Sequence, residues 1–148
     1  MSQAAEFENP GPDELRRIYA DAKTIAVVGA SADPDKASHS VPEYLQSMGY
    51  RIIPVNPRGG EVLGEKVYGS LGEVDVAVDV VEVFRPPREV PAIAREAAAI
   101  GADVLWMQPG IVSEEGAAAG EDLGLTVVMD ICMRATHLLL GLGPRGND

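Results

Sequence analysis

The residues able to do chemistry in this chain sit where short apolar runs stop. Thr24-Ile-Ala-Val-Val28 is rich in β-branched residues and has the character of a strand buried on both faces. Gly29-Ala30-Ser31 follows it. A glycine at a strand end lets the backbone turn sharply and come close to a ligand. The next helix is predicted to start late, because Ser40-Val-Pro-Glu43 reads as a capping box. The stretch 30–39 is then a loop between a strand end and a helix start. Free amides and the positive end of a helix dipole face that gap, which suits a phosphate. Lys36 lies inside it and serves equally well as a ligand contact or as a solvated surface charge.

Other reactive side chains are few. Asn56-Pro57-Arg58 closes a second apolar run, Arg51 to Val55, and brings a cation to its end. Phe84 fits a core role and a ligand role equally, and at a strand end the two coexist. His39 reads as a capping or packing residue at a helix start. His137, on an apolar helix, reads as a core histidine with a partner. Asp79 and Asp130 are the acids of most interest, and Asp130 is predicted to cap the last helix. Cys132 is a small residue near that same helix start. The sharper reading of it is a thiol activated by the helix dipole and able to meet another thiol. Two histidines and one cysteine, widely separated, are too few for a metal cluster, and no catalytic set stands at a telling spacing.

The whole chain sets bounds on what these residues can serve. Its 148 residues predict one domain, and 46 % hydrophobic content is enough for a full core. The net charge of −11 repels nucleic acids and anionic membranes, so neither is expected as a partner. An anionic ligand must then be held by local amides and a few basic side chains. A single cysteine allows no internal disulfide and favours a reducing compartment. No run is long and apolar enough to span a bilayer, and residues 1–12 lack the layout of a secretion signal. The cytoplasm is the expected location.

Strands are predicted at 24–28, 51–55, 75–81, 103–107 and 126–129. Helices are predicted at about 12–22, 41–48, 85–100, 113–123 and 131–140, the fourth weakened by Gly116 and Gly120. Residues 1–11 read as a flexible lead, 12–140 as one domain, and 141–148 as a flexible tail. Alternating strands and helices predict a Rossmann-like, doubly wound α/β fold: a five-stranded parallel sheet with helices on both faces. The predicted strand order is 3-2-1-4-5. Ligands bind such a sheet at the carboxyl ends of its strands, at the switch point, here placed between strands 1 and 4.

A nicotinamide-binding fold usually shows G-x-G-x-x-G running into a helix and an acid closing strand 2. Here only Gly29 is present, and a cation stands near the place of the acid. That favours a ribose carrying a phosphate: coenzyme A with its 3′-phosphate, or NADP. Val27-Val-Gly-Ala-Ser31, Tyr50 to Arg58, Val81 to Pro86, Trp106 to Gly110 and Asp130-Ile-Cys-Met133 together resemble the small stand-alone CoA-binding proteins. These are similar to the CoA-binding domain of the succinyl-CoA synthetase alpha subunit, and the resemblance runs from about Ala22 to His137.

The resemblance implies CoA at the switch point of a Rossmann-like fold. Backbone amides of Gly29, Ala30 and Ser31 would meet the diphosphate. Val55, Asn56, Pro57 and Arg58 would wall the adenosine side. Val80, Val81 and Phe84 would pack on adenine or the upper pantetheine, and Met107, Gln108 and Gly110 would line the pantetheine arm. Separately, the place of Cys132 after strand 5, on the ligand side, puts its thiol within reach of the end of that arm. The synthetase's histidine-bearing second domain has no counterpart in the matched residues, so ligase chemistry is not expected. The reading is a non-catalytic protein that binds CoA or an acyl-CoA. An NADP-dependent oxidoreductase and an interaction module with a vestigial cleft are the alternatives. A homo-oligomer is left open by the exposed helix faces of such a fold.

Overall fold

The computed structural model describes residues 7–146. Helix α1 spans Pro12–Asp21 and leads into β1, Thr24–Val28. Then come α2, Ala37–Ser47, and β2, Arg51–Val55. A small antiparallel hairpin follows, β3, Glu61–Val62, with β4, Glu65–Lys66, and then a 3-10 turn at Leu71–Glu73. The remainder alternates: β5, Val80–Val83; α3, Val90–Ala99; β6, Val104–Met107; α4, Glu114–Asp122; β7, Thr126–Val128; α5, Met133–Leu139.

Five strands form one parallel sheet in the order β2-β1-β5-β6-β7. Both faces are covered, as an all-parallel sheet requires. On one face Ala26, Val81, Val83 and Leu105 pack with Val90, Ala94 and Ala97 of α3 and Ala117 of α4. On the other, Ile25, Val27 and Trp106 pack with Leu15 and Ile18 of α1, Val41 and Leu45 of α2, and Met133 of α5. The molecule is therefore a Rossmann-like, doubly wound α/β sheet.

The strand order differs from the expected one at a single strand. The third long strand, β5, does not lie outside β2 but between β1 and β6. The reason is that the outer edge of β2 is already taken. Tyr68 pairs with Val55 there: its amide donates to the Pro54 carbonyl at 3.0 Å, and the Asn56 amide donates to its carbonyl at 2.9 Å. Pro54 fits this position. Its carbonyl faces the outer edge, so its missing N–H costs no ladder bond to β1. The switch point accordingly falls between β1 and β5.

β5 also begins later than expected, at Val80 rather than Asp75, and ends at Val83. Asp79 is not on the ligand side. Its carboxylate accepts from the amides of Lys23 and Thr24 at 2.8 and 3.0 Å and ties down the amino end of β1. In α4, the glycines that weaken a helix are what this packing needs. A Cβ on Gly116 would fall 2.4 Å from Val90 Cγ1. Ser113 caps α4 through the Gly116 amide at 2.9 Å.

Asn9 and Arg145, near the two limits of the described residues, both touch the sheet and its helices. The Asn9 side chain donates to the Met129 carbonyl at 3.0 Å and accepts from the Met129 amide at 2.8 Å. The Arg145 amide donates to the Met48 carbonyl at 2.8 Å, and its guanidinium lies 5.5 Å from the Tyr50 ring centroid. The rest of the lead, 1–6, and of the tail, 147–148, lies outside the described residues. No helix among those described is long and apolar enough to cross a membrane.

Candidate functional site

The carboxyl ends of β2, β1 and β5 open onto a cleft of about 680 Å³. Its floor is the turn after β1. Gly29 has φ 93°, a left-handed conformation that favours glycine. A Cβ there would fall 3.0 Å from Arg85 Cδ and 3.1 Å from the Phe84 carbonyl oxygen. Gly29 thus makes room for the neighbouring strand end.

The loop after Gly29 is shorter than expected, because α2 starts at Ala37 and not at Val41. The expected capping box does not form: Ser40 lies inside the helix, Lys36 occupies the cap position, and no side chain caps it. Local side-chain turns bring the chain into the helix early. Ser31 Oγ accepts from the Asp33 amide at 3.0 Å, and Asp33 Oδ1 accepts from the Asp35 amide at 3.0 Å. Pro42, within α2, has no amide to offer the Ser38 carbonyl. That carbonyl instead accepts from the Ser31 amide at 3.2 Å. His39 Nδ1 lies 2.8 Å from the Ser31 carbonyl oxygen and fixes the same loop.

These bonds change which amides are free. The Gly29 amide donates to the Val55 carbonyl at 2.9 Å and the Ser31 amide to Ser38, so neither is open to a phosphate. Among the described residues the amides of Ala30, Ala37 and Ser38 have no partner. Two of these open α2, where unpaired amides and the helix dipole favour an anion.

Two further strand ends wall the cleft. After β2, Asn56 joins the loops: its Nδ2 donates to the Ala30 carbonyl at 2.9 Å, and its Oδ1 accepts from the Arg58 amide at 2.9 Å. Val55, Pro57 and the exposed Arg58 line the cleft on this side. After β5 come Phe84, half-buried, and Arg85. Arg85 makes a two-pronged ion pair with Glu89, Nε to Oε1 at 3.0 Å and Nη2 to Oε2 at 2.8 Å. The cleft therefore brings together Gly29, Ala30, Ser31, Lys36, Val55, Asn56, Pro57, Arg58 and Phe84.

The remaining expected contacts lie elsewhere. Val80 and Val81 are fully buried in the sheet, because the strand end falls at Val83. Met107 is buried, and Gln108 faces Glu82, its Nε2 donating to Glu82 Oε2 at 2.6 Å. The Gly110 amide donates to Asp130 Oδ1 at 2.7 Å, so Asp130 braces that turn instead of capping α5. Cys132 holds the cap position, its Sγ accepting from the Ala135 amide at 3.4 Å. His137 is a core residue, with Nδ1 2.7 Å from the Tyr44 hydroxyl and its pKa lowered by burial.

Two side chains with evident chemistry were not among the expected residues. Glu82 is 0 % exposed, and burial pushes its carboxyl up to about 8. Its Oε1 and Gln108 Oε1 have no hydrogen-bond partner. Arg85 lies at the cleft. The signal for both was Val80-Val-Glu-Val83, a single acid within an apolar, β-branched run, which marks a strand running past Val81. A strand end at Val83 puts Arg85 at the ligand side.

The assembled site offers free amides, three cations and an apolar wall of Val28, Val55, Leu71, Phe84 and Ile93. It can hold a polyanion with an apolar or aromatic portion. The uncharacterized protein YneT of Bacillus subtilis (strain 168) is 43 % identical over 131 residues, covering 88 % of this chain and 97 % of its own. The ADP-forming acetate–CoA ligase I alpha subunit of Pyrococcus furiosus is 34 % identical over 110 residues, covering 68 % of this chain and 24 % of that subunit. A solved structure from Thermus thermophilus superposes with a TM-score of 0.85 at 41 % identity, covering 88 % of this chain and 99 % of the other. The sequence from 23 to 137 matches the family described as the CoA binding domain, and with the match spanning most of its length, this chain belongs to that family.

Proposed function

We propose that the protein binds coenzyme A or an acyl-CoA in the cleft at the carboxyl ends of β2, β1 and β5, and that it does so as a carrier or sensor without catalysing a reaction. The observation that carries this reading is the cleft's division of labour. Free amides at Ala30, Ala37 and Ser38 suit a diphosphate. The apolar wall of Val55, Leu71, Phe84 and Ile93 suits adenine. Arg58, beyond β2, stands where an acid would hold an unphosphorylated ribose and suits a 3′-phosphate. Family membership supports the same ligand. The chain spans about a quarter of the ligase subunit it matches, and the reading is confined to binding.

Calorimetric titration with CoA, acetyl-CoA, NADP and NAD tests it. CoA or its acetyl ester should bind most tightly. Equal or stronger binding of NAD would overturn the reading, and preference for NADP would favour a redox cofactor instead.

A further inference from the structure

We propose that Arg85 is the diphosphate clamp of the cleft, held ready in the free protein by Glu89 and exchanging that carboxylate for the ligand. The proposal rests on the CoA reading for its natural ligand and on Arg85's own surroundings for its chemistry.

Three observations carry it. First, the strand order puts Arg85 beside the phosphate turn. β1 lies between β2 and β5, so Arg58 and Arg85 flank the Gly29 turn from opposite sides. Second, the Arg85 stem lies across that turn, its Cδ 3.0 Å from where a Gly29 Cβ would stand. The guanidinium is thus carried by a side chain that lies against the turn, and the next residue of that turn, Ala30, has an unpaired amide. Third, the guanidinium already holds a planar pair of anionic oxygens with both prongs, at 3.0 and 2.8 Å. A phosphate offers two oxygens in the same arrangement, and the fork binds either.

The exchange is easy for a physical reason. The Arg85 and Glu89 side chains are 44 % and 36 % exposed, and exposed ion pairs contribute little to stability. Glu89 keeps the fork aligned while the cleft is empty, and it yields to a ligand of higher charge. It also lines the cleft itself, so its negative charge opposes an entering polyanion. Arg58 and Arg85 therefore divide the ligand: Arg58 reads the 3′-phosphate, and Arg85 holds the diphosphate common to CoA, 3′-dephospho-CoA and ADP.

Titration of these three ligands into the wild type and into Arg85→Ala, Arg85→Lys, Arg58→Ala and Glu89→Gln tests the clamp. Arg85→Ala should lose about tenfold or more for all three alike. Arg85→Lys, which keeps charge without the fork, should fall between it and the wild type. Arg58→Ala should lose affinity for CoA alone. Glu89→Gln should bind all three more tightly, by a few-fold. Unchanged affinity in Arg85→Ala, or a loss confined to CoA, overturns the clamp, and weaker binding in Glu89→Gln overturns the exchange. Wild-type protein that takes ADP in an Arg85-dependent way but refuses CoA removes the CoA reading and keeps the clamp. Wild-type protein that takes none of the three removes both.

Discussion

A valine at position 29 would set its Cβ 3.0 Å from Arg85 Cδ and 3.1 Å from a backbone oxygen, on a chain with φ 93°. The arginine can shift, but the Phe84 carbonyl follows directly on β5, on a residue whose amide is held by the Val28 carbonyl at 2.9 Å, and gives less easily. Gly29→Val should therefore cost stability as well as binding, about 1–3 kcal/mol for the strained backbone, read by urea denaturation alongside CoA titration. Normal CoA affinity in the variant would move the phosphate site off this turn. Arg58 makes the more selective prediction. It is exposed and its side chain has no ion pair among the described residues. Arg58→Ala should leave stability unchanged and weaken CoA by about tenfold or more, the scale of a charge-assisted hydrogen bond of roughly 1.5–3 kcal/mol, while hardly affecting 3′-dephospho-CoA. Glu82 is tested by pH. Its carboxyl lies at about 8 in the folded chain against an ordinary 4.5. Between those values the folded state holds a proton that the unfolded state has released, so stability falls as pH rises, by at most about 1.4 kcal/mol per unit, and levels off above 8. Glu82→Gln should abolish this slope and be the more stable protein at pH 8. Parallel stability curves for variant and wild type would show that Glu82 ionises without penalty. Gly29, Asn56 and Arg58 were legible in the sequence because they punctuate apolar runs. Glu82 and Arg85 were not, since a strand placed too early turns one into loop and hides the other.

Elements were legible where an apolar period was clean and were misplaced where side chains competed with it. Leu15, Ile18 and Tyr19 mark α1 without ambiguity, and all three are buried. The start of α2 was misjudged because Ser40 and Glu43 satisfy a capping pattern that the structure does not use. Ser31 and Asp33 direct the chain into the helix a turn sooner, and no hydrophobic period reports such turns. α4 was placed correctly, at 113–123 against Glu114–Asp122, but its two glycines were read only as low propensity and not as a packing requirement. Alanine favours a helix over glycine by about 1 kcal/mol. At position 116, however, the new methyl would meet Val90 at 2.4 Å. Overpacking typically costs about 1–3 kcal/mol, so the clash should win. Gly116→Ala is expected to lower the urea midpoint, and a raised midpoint would show that α3 and α4 can move apart freely.

At the scale of the molecule, alternation of strands and helices was enough to give the parallel sheet and the end of it that opens onto the cleft. Strand order was not legible in the same way. It depends on Tyr68 occupying the edge of β2, a pairing made by one residue in an irregular stretch. The consequence is functional, because the order decides which loops are neighbours. With β5 beside β1, the Phe84–Arg85 loop and the Asn56–Arg58 loop share one cleft. With β5 outside β2 they would not flank the Gly29 turn.

The other edge of the sheet is finished differently. Among the described residues β7 has no strand beyond it, and at Met129, just past its end, the Asn9 side-chain amide returns both backbone bonds as a neighbouring strand would. An open edge is a template on which a second chain can add. Removal of the Asn9 amide is therefore expected to show in association more than in folding. Asn9→Ala should melt within a few degrees of the wild type yet scatter more light at high concentration and near the isoelectric point, where the protective net charge is gone. Equal scattering from the two proteins would mean that the edge is guarded by something other than this one amide.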